Sequence, residues 1–217
     1  MRCRRCEFRL DYTSKDCYVS GSSNGATREE TSVQIGDKAP YFKGMAVMPD
    51  KTFKKISIDD YTGKWLVLFF YPLDFSYVCP TEVRAFSLAF NKFKDVNADI
   101  VGCSVDSHFA HQAWIEKELG QVKFPLLSDI TKSISRTYGV LVHNAFSLRG
   151  TFIVDPEGIL KSIVVNDSSI GRSIDETLRT LKAIQTGELT GAGWQPGDET
   201  MGLGGEKRYP TDIDPEQ

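Results

Sequence analysis

The chain has 217 residues, a net charge of −3, and 41% hydrophobic and 25% charged residues. That length accommodates one sizeable α/β core with terminal extensions, and the mild negative charge argues against nucleic acid or an anionic membrane as partner. The longest apolar run, residues 65–71, is strand length and far short of a membrane span.

The N-terminus is basic, and no apolar segment follows it, so a secretory signal is not expected and the reading is cytoplasmic. Three of the five cysteines, Cys3, Cys6 and Cys17, crowd this segment; Cys79 and Cys103 lie further on. Such clustering does not fit a disulfide scaffold and points to metal binding or redox chemistry. Residues 20–32 contain no large apolar side chain and read as a flexible linker. The expected layout is a short cysteine-containing segment over 1–21, a linker over 22–32, a main domain over 33–168, and a C-terminal helix with an extended arm over 169–217.

The first predicted strand covers residues 65–71. Val83, Phe86, Phe90 and Phe93 then recur at helical spacing. A second strand follows over 100–105, a helix over 108–119, a short strand over 124–127 and a short helix over 133–138. Two runs, 151–155 and 159–165, flank Pro156-Glu157-Gly158 and predict a hairpin. Last, Ile174, Leu178, Leu181 and Ile184 mark one face of a long helix, with Ser173 as N-cap and Glu176 as its capping-box partner. Strands alternating with helices, then a hairpin, imply a mixed central sheet flanked by helices, an order compatible with a thioredoxin-like fold.

The most informative stretch is FYPLDFSYVCPTE, residues 70–82. A buried strand is expected to end at Pro72 and a helix to begin near Pro80, since proline suits a first helical position. Cys79 then sits at the helix N-terminus, where free N–H groups and the helix dipole favour thiolate over thiol. An inert core cysteine is the competing reading. Glu82 is placed to oppose an anionic sulfur, so a cation is expected nearby. Arg149 and Arg172 are the candidates, although either is equally readable as half of a surface ion pair.

The same stretch resembles the peroxidatic signature of the peroxiredoxins, Pro-x-x-x-Thr/Ser-x-x-Cys, here Pro72, Ser76 and Cys79. The likeness continues through GCSVDSHFAHQAW, FPLLSDITKSISRTYGV, LRGTFIVD and VNDSSIGRSIDETLR, covering roughly residues 33–197 in order. It is a likeness to the two-cysteine branch, the alkyl hydroperoxide reductase C and thioredoxin peroxidase type. It implies a thioredoxin-like fold with a C-terminal extension and an antioxidant peroxidase. Cys79 would form a sulfenic acid with hydrogen peroxide or organic hydroperoxides. A peroxide sensor or holdase chaperone on the same fold is the alternative. Ser76 would hydrogen-bond peroxide and thiolate, and Pro72 would shield the sulfur. Arg149 would stabilise the thiolate and the transition state, held by Glu82 and Arg172. The likeness further implies a homodimer, with higher ring assembly open, and an external thiol reductant such as thioredoxin. No cofactor is implied. Phe75 and Tyr77 are expected to line an alkyl-tolerant pocket.

The sequence departs from that family in one respect that matters. Thr190 stands where the branch has its resolving cysteine, and a hydroxyl cannot close a disulfide. Three readings of Cys3, Cys6 and Cys17 stay open: a remnant without a role, a zinc site resembling a degenerate ribbon with Ser20 in the fourth position, and an alternative resolving cysteine. Cys103 reads as packing, and His108, His111 and His143 as polar or supporting residues rather than metal ligands.

Overall fold

A computed structural model describes residues 33–202. Cys3, Cys6 and Cys17, and with them the readings for segments 1–21 and 22–32, lie outside the described residues.

The first two strands were not anticipated. β1 (Lys43–Val47) and β2 (Phe53–Ser57) form an antiparallel hairpin. In β2 only Ile56 is buried, so the strand has no period to read from sequence. A 3-10 turn at Ile58–Tyr61 leads to β3 (Trp65–Phe70), which stops two residues before Pro72. Then come α1 (Cys79–Lys94), β4 (Ala98–Ser104) and α2 (His108–Trp114). The segment expected as one helix over 108–119 does continue, but as a π turn over Ile115–Leu119. β5 (Leu126–Ser128), α3 (Ser133–Thr137) and a two-residue hairpin, β6 (Leu141–Val142) with β7 (Phe146–Ser147), follow. The chain closes with β8 (Arg149–Val154), β9 (Leu160–Asn166) and α4 (Ile174–Gln185).

Seven strands make one mixed sheet in the order β2-β1-β5-β4-β3-β8-β9. β3, β4 and β5 run parallel, while β8 joins β3 antiparallel. The two-residue period of β3 sorts its side chains onto two faces. Val67 and Phe69 point into a core shared with α1, α2 and α4; Leu66, Leu68 and Phe70 point into a second core that includes Ile134 of α3. Helices therefore cover both faces, as the alternation of elements predicts. Ile174, Leu178 and Leu181 bring α4 into the first of these cores.

Phe69 is the centre of that core. It stacks on Phe86 of α1 at 4.2 Å between ring centroids and meets Phe124 edge-on at 5.6 Å. Burying each such ring contributes about 1.5–3 kcal/mol. Gly102 of β4 gives Phe69 its room: a Cβ there would lie 2.8 Å from Phe69 Cζ and 2.8 Å from Leu126 Cδ2.

Both turn readings near the C-terminus hold. Gly158 closes the β8–β9 hairpin at φ +82, and Asp155 Oδ1 accepts from the N–H groups of Glu157 and Ile159 at 3.0 and 2.8 Å. Ser173 Oγ accepts from Glu176 N at 3.2 Å, capping α4. The reciprocal half of the capping box differs from expectation, because the Glu176 carboxylate instead pairs with Arg179 at 2.7 and 2.8 Å. Among the described residues no helix is long and apolar enough to cross a membrane.

Candidate active site

β3 and α1 are joined by residues 71–78, and this loop delivers Cys79 as the first residue of α1. Pro80 is consequently second in the helix rather than first. Val78 in the N-cap position already has helical φ and ψ and offers no side-chain cap. The first turn of α1 is thus held mainly by packing and by what binds Glu82. Cys79 is fully buried against Val83 and the Phe69 core.

Arg149 Nη1 donates to Cys79 Sγ at 3.4 Å. The same nitrogen donates to Glu82 Oε2 at 2.6 Å. Its Nε and Nη2 both donate to the Ser168 carbonyl, at 2.9 and 2.6 Å. Arg149 opens β8, so its backbone is fixed by the sheet and its guanidinium by three acceptors. Arg172 grips the other side of Glu82. Its Nε and Nη2 make a fork of 2.9 and 2.8 Å onto Oε1 and Oε2, and its backbone N–H adds 2.9 Å to Oε1. Its Nη1 donates to the Gly150 carbonyl at 2.8 Å and to Thr151 Oγ1 at 3.2 Å. The guanidinium carbon lies 5.1 Å from the Phe69 ring centroid.

All three charged side chains are only 2–3% exposed. Burial pushes the Glu82 carboxyl up, but the hydrogen bonds and charge of Arg172, assisted by Arg149, outweigh it and hold the group below its ordinary value. The surface ion pair considered from sequence is thereby replaced by a buried triad. Within the triad two guanidinium groups meet one carboxylate, a net charge of one positive unit; the Asp167 carboxylate also acts on Arg149, and the Arg149 guanidinium faces Sγ directly.

The remaining predicted residues fall as follows. Pro72 is buried in the loop. Ser76 turns its hydroxyl back on its own loop, donating to the Leu73 carbonyl at 2.9 Å instead of toward the sulfur. Tyr77 is 98% and Phe75 52% exposed, so the two project from the loop and do not enclose the alkyl pocket expected of them. Thr190 is half-buried beyond the end of α4. Cys103 is fully buried in the core on the opposite face of the sheet from Cys79. Burial, reinforced by the charge of Asp129, pushes its thiol well above its ordinary value. His108 meets Phe53 edge-on and Phe109 at a tilt, at 4.8 and 4.1 Å between ring centroids. His143 sits at φ +50 in the β6–β7 turn. Among the described residues no group of three or more His, Cys, Asp or Glu is placed to hold a metal.

Two contributors escaped sequence reasoning, the carbonyls of Ser168 and Gly150. Backbone acceptors carry no residue-type signal, so nothing in the sequence marks them.

The AhpC/TSA family model matches residues 35–163, which is more than half of the chain. The chain belongs to the AhpC/TSA family. Among its relatives, the mitochondrial thioredoxin-dependent peroxide reductase of Mus musculus is 50% identical over 201 residues, covering 86% of this chain and 78% of the relative. The protein of the same name in Homo sapiens is 53% identical over 177 residues, covering 77% and 69%. Of solved structures, reduced 2-Cys peroxiredoxin of Plasmodium vivax superimposes with a TM-score of 0.75 at 42% identity, covering 76% of this chain and 91% of that one. AhpC of Mycobacterium tuberculosis gives 0.66 at 40% identity, covering 71% and 99%. The mixed sheet of this AhpC/TSA chain is therefore the thioredoxin-like peroxiredoxin fold that the order of its elements allows and the family likeness implies.

Proposed function

We propose that this AhpC/TSA chain is a thiol-dependent peroxidase that reduces hydroperoxides through Cys79. The observation carrying the reading is the guanidinium of Arg149 against Sγ in a buried triad of two guanidinium groups and one carboxylate. The Cys79 thiolate attacks one oxygen of the O–O bond. A sulfur–oxygen bond forms, the O–O bond breaks, and the leaving oxygen takes a proton to depart as water or alcohol. Arg149 is poised to donate to the charge that develops on oxygen, an interaction worth several kcal/mol in a dry site. Glu82 and Arg172 hold it there. The reading assigns to Pro72 the shielding of the sulfur and to Ser76, whose hydroxyl here donates to the Leu73 carbonyl, a hydrogen bond to the peroxide.

Two equivalents of thiol then return the sulfenic acid to thiol, leaving a disulfide and water. With Thr190 in the position of the resolving cysteine, the reading assigns this step to an external thiol of the thioredoxin kind. The printed names of the mouse and human relatives support that reductant. Because Sγ is fully covered, the uncapped first turn of α1 must open before a thiol of any size reaches it. Resolution by Cys3, Cys6 or Cys17 is the competing route. Deleting residues 1–31 leaves turnover unchanged under the first and abolishes it under the second.

A homodimer, with further ring assembly, and a cytoplasmic setting complete the proposal, although relatives carry mitochondrial names; light scattering and cell fractionation test them. The decisive experiment measures peroxide consumption with thioredoxin or glutathione as reductant, for the wild type and Cys79→Ser. Turnover is expected in the first alone. Equal turnover in both refutes the role given to Cys79.

A further inference from the structure

The loop that delivers Cys79 contains a costly turn. Phe75 lies at φ +53, in the left-handed region that a bulky aromatic residue rarely adopts. Such conformations persist only where the surroundings over-determine them. What over-determines this one is the residue before it. Asp74 is almost fully buried, and its carboxylate and backbone N–H are all engaged. Its Oδ1 accepts from the Tyr71 hydroxyl at 3.0 Å, and its Oδ2 pairs with His111 Nδ1 at 2.7 Å. Its backbone N–H donates to Asp106 Oδ2 at 2.9 Å, and that carboxylate is fixed by Ser104 Oγ at 2.8 Å. His111 is itself fully buried in α2, with Nε2 3.3 Å from the Leu127 carbonyl of β5. One turn further along α2, the Trp114 ring leans on Phe75 at 6.2 Å. The loop is therefore pinned to α2 at two adjacent residues, through a buried polar network on one and an aromatic contact on the other.

We propose that Asp74, with His111 and Tyr71, is the positioning device of the reacting loop, holding residues 72–78 in the conformation that places Cys79 beneath Arg149. None of the three donates a hydrogen bond to the sulfur, whose donor among the described residues is Arg149. They act through the turn, whose left-handed residue relaxes to an ordinary backbone conformation once the anchor is gone. A buried polar network is a poor source of stability compared with apolar packing of the same volume. Its place directly under the reactive loop accounts for it better than a contribution to the core does. This inference rests on the peroxidase reading above.

The test uses the full chain, pre-reduced, and follows Cys79 in two single-turnover reactions: oxidation by hydrogen peroxide and alkylation by iodoacetamide, each quantified by mass spectrometry. Asp74→Asn and His111→Phe are expected to slow oxidation about 10- to 100-fold, the usual result of displacing reacting groups by an ångström. Alkylation is expected to accelerate, because the released loop uncovers the sulfur. His111→Asn keeps an N–H within reach of Asp74 and is expected to restore both rates to near wild type. A merely structural role lowers the melting temperature without separating the two rates, and no change in either rate, or a parallel fall in both, overturns the proposal. If His111→Phe does not fold, Tyr71→Phe carries the same test, since it removes one oxygen from a ring that stays buried; it is expected to move the rates in the same opposite directions. Failure of the peroxidase reading is distinct: wild-type Cys79 then does not react with peroxide at all, and the positioning proposal falls with it.

Discussion

Glu82 is the residue whose replacement separates charge from orientation. It accepts four hydrogen bonds of 2.6–2.9 Å from two arginines and is 2% exposed. Glu82→Gln keeps its shape, removes its charge and turns one oxygen acceptor into a donor facing guanidinium donors. Breaking a buried pair from one side costs about 3–5 kcal/mol, a large part of the roughly 5–15 kcal/mol that holds a domain together. At about 2–4 °C per kcal/mol for a domain of this size, the melting temperature falls by roughly 6–20 °C. The effect on the sulfur has two opposing parts. Loss of the carboxylate leaves more positive charge beside Cys79, which favours an anion. It also frees Arg149 Nη1 from its shortest bond, and a donor out of place costs about 100-fold in rate. We expect orientation to win, so that rapid mixing of the reduced variant with hydrogen peroxide gives a much slower oxidation of Cys79. A variant with the lowered melting temperature and a rate equal to or above wild type refutes the reasoning and makes net charge, not the aim of Arg149, the controlling quantity.

The same carboxylate sets an acid limit. Its folded value lies below the ordinary 4.5, so the stability it contributes is complete above that pH and is lost as pH falls through the folded value. Urea midpoints measured below pH 4.5 are expected to drop more steeply in wild type than in Glu82→Gln. Gly102→Ala places a methyl group 2.8 Å from Phe69 and Leu126, and such overpacking costs about 1–3 kcal/mol by denaturant titration. Cys103→Ala, on the far face of the sheet from Cys79, is expected to leave peroxide consumption unchanged; a loss beyond what reduced folding explains assigns that thiol a part in the cycle.

Strong periods made most of the fold legible. β3 and β4 are runs buried on both faces, and α4 shows an uninterrupted apolar stripe, so their types and order could be read directly. β2 could not, because an edge strand with one inward side chain has nothing to alternate, and β6 and β7 are too short to carry a pattern. In the site, the strand-to-helix turn singled out Cys79 but left a reactive and an inert core cysteine evenly matched, and the likeness to a family favoured the first. Position alone named Arg149 and Arg172 as candidate cations, but their division of labour came from the likeness to a family, since it depends on which guanidinium reaches Sγ. The histidines read as polar or supporting residues, without a sign of which group each would support. His111 lies 37 residues from Asp74, and no spacing rule links the pair. Ser76 was expected to face the sulfur, but the loop's tight turn brings the Leu73 carbonyl within its reach instead.

The triad joins positions 67 and 90 apart in the chain, and the contact to sulfur spans 70. A ribosome releasing Cys79 and α1 has not yet made either arginine. Until the last third of the polypeptide emerges and docks, the thiol lacks its guanidinium partner. On the peroxidase reading, sensitivity to oxidant therefore arrives at the end of biosynthesis, and a prematurely terminated product carries a cysteine without its chemistry.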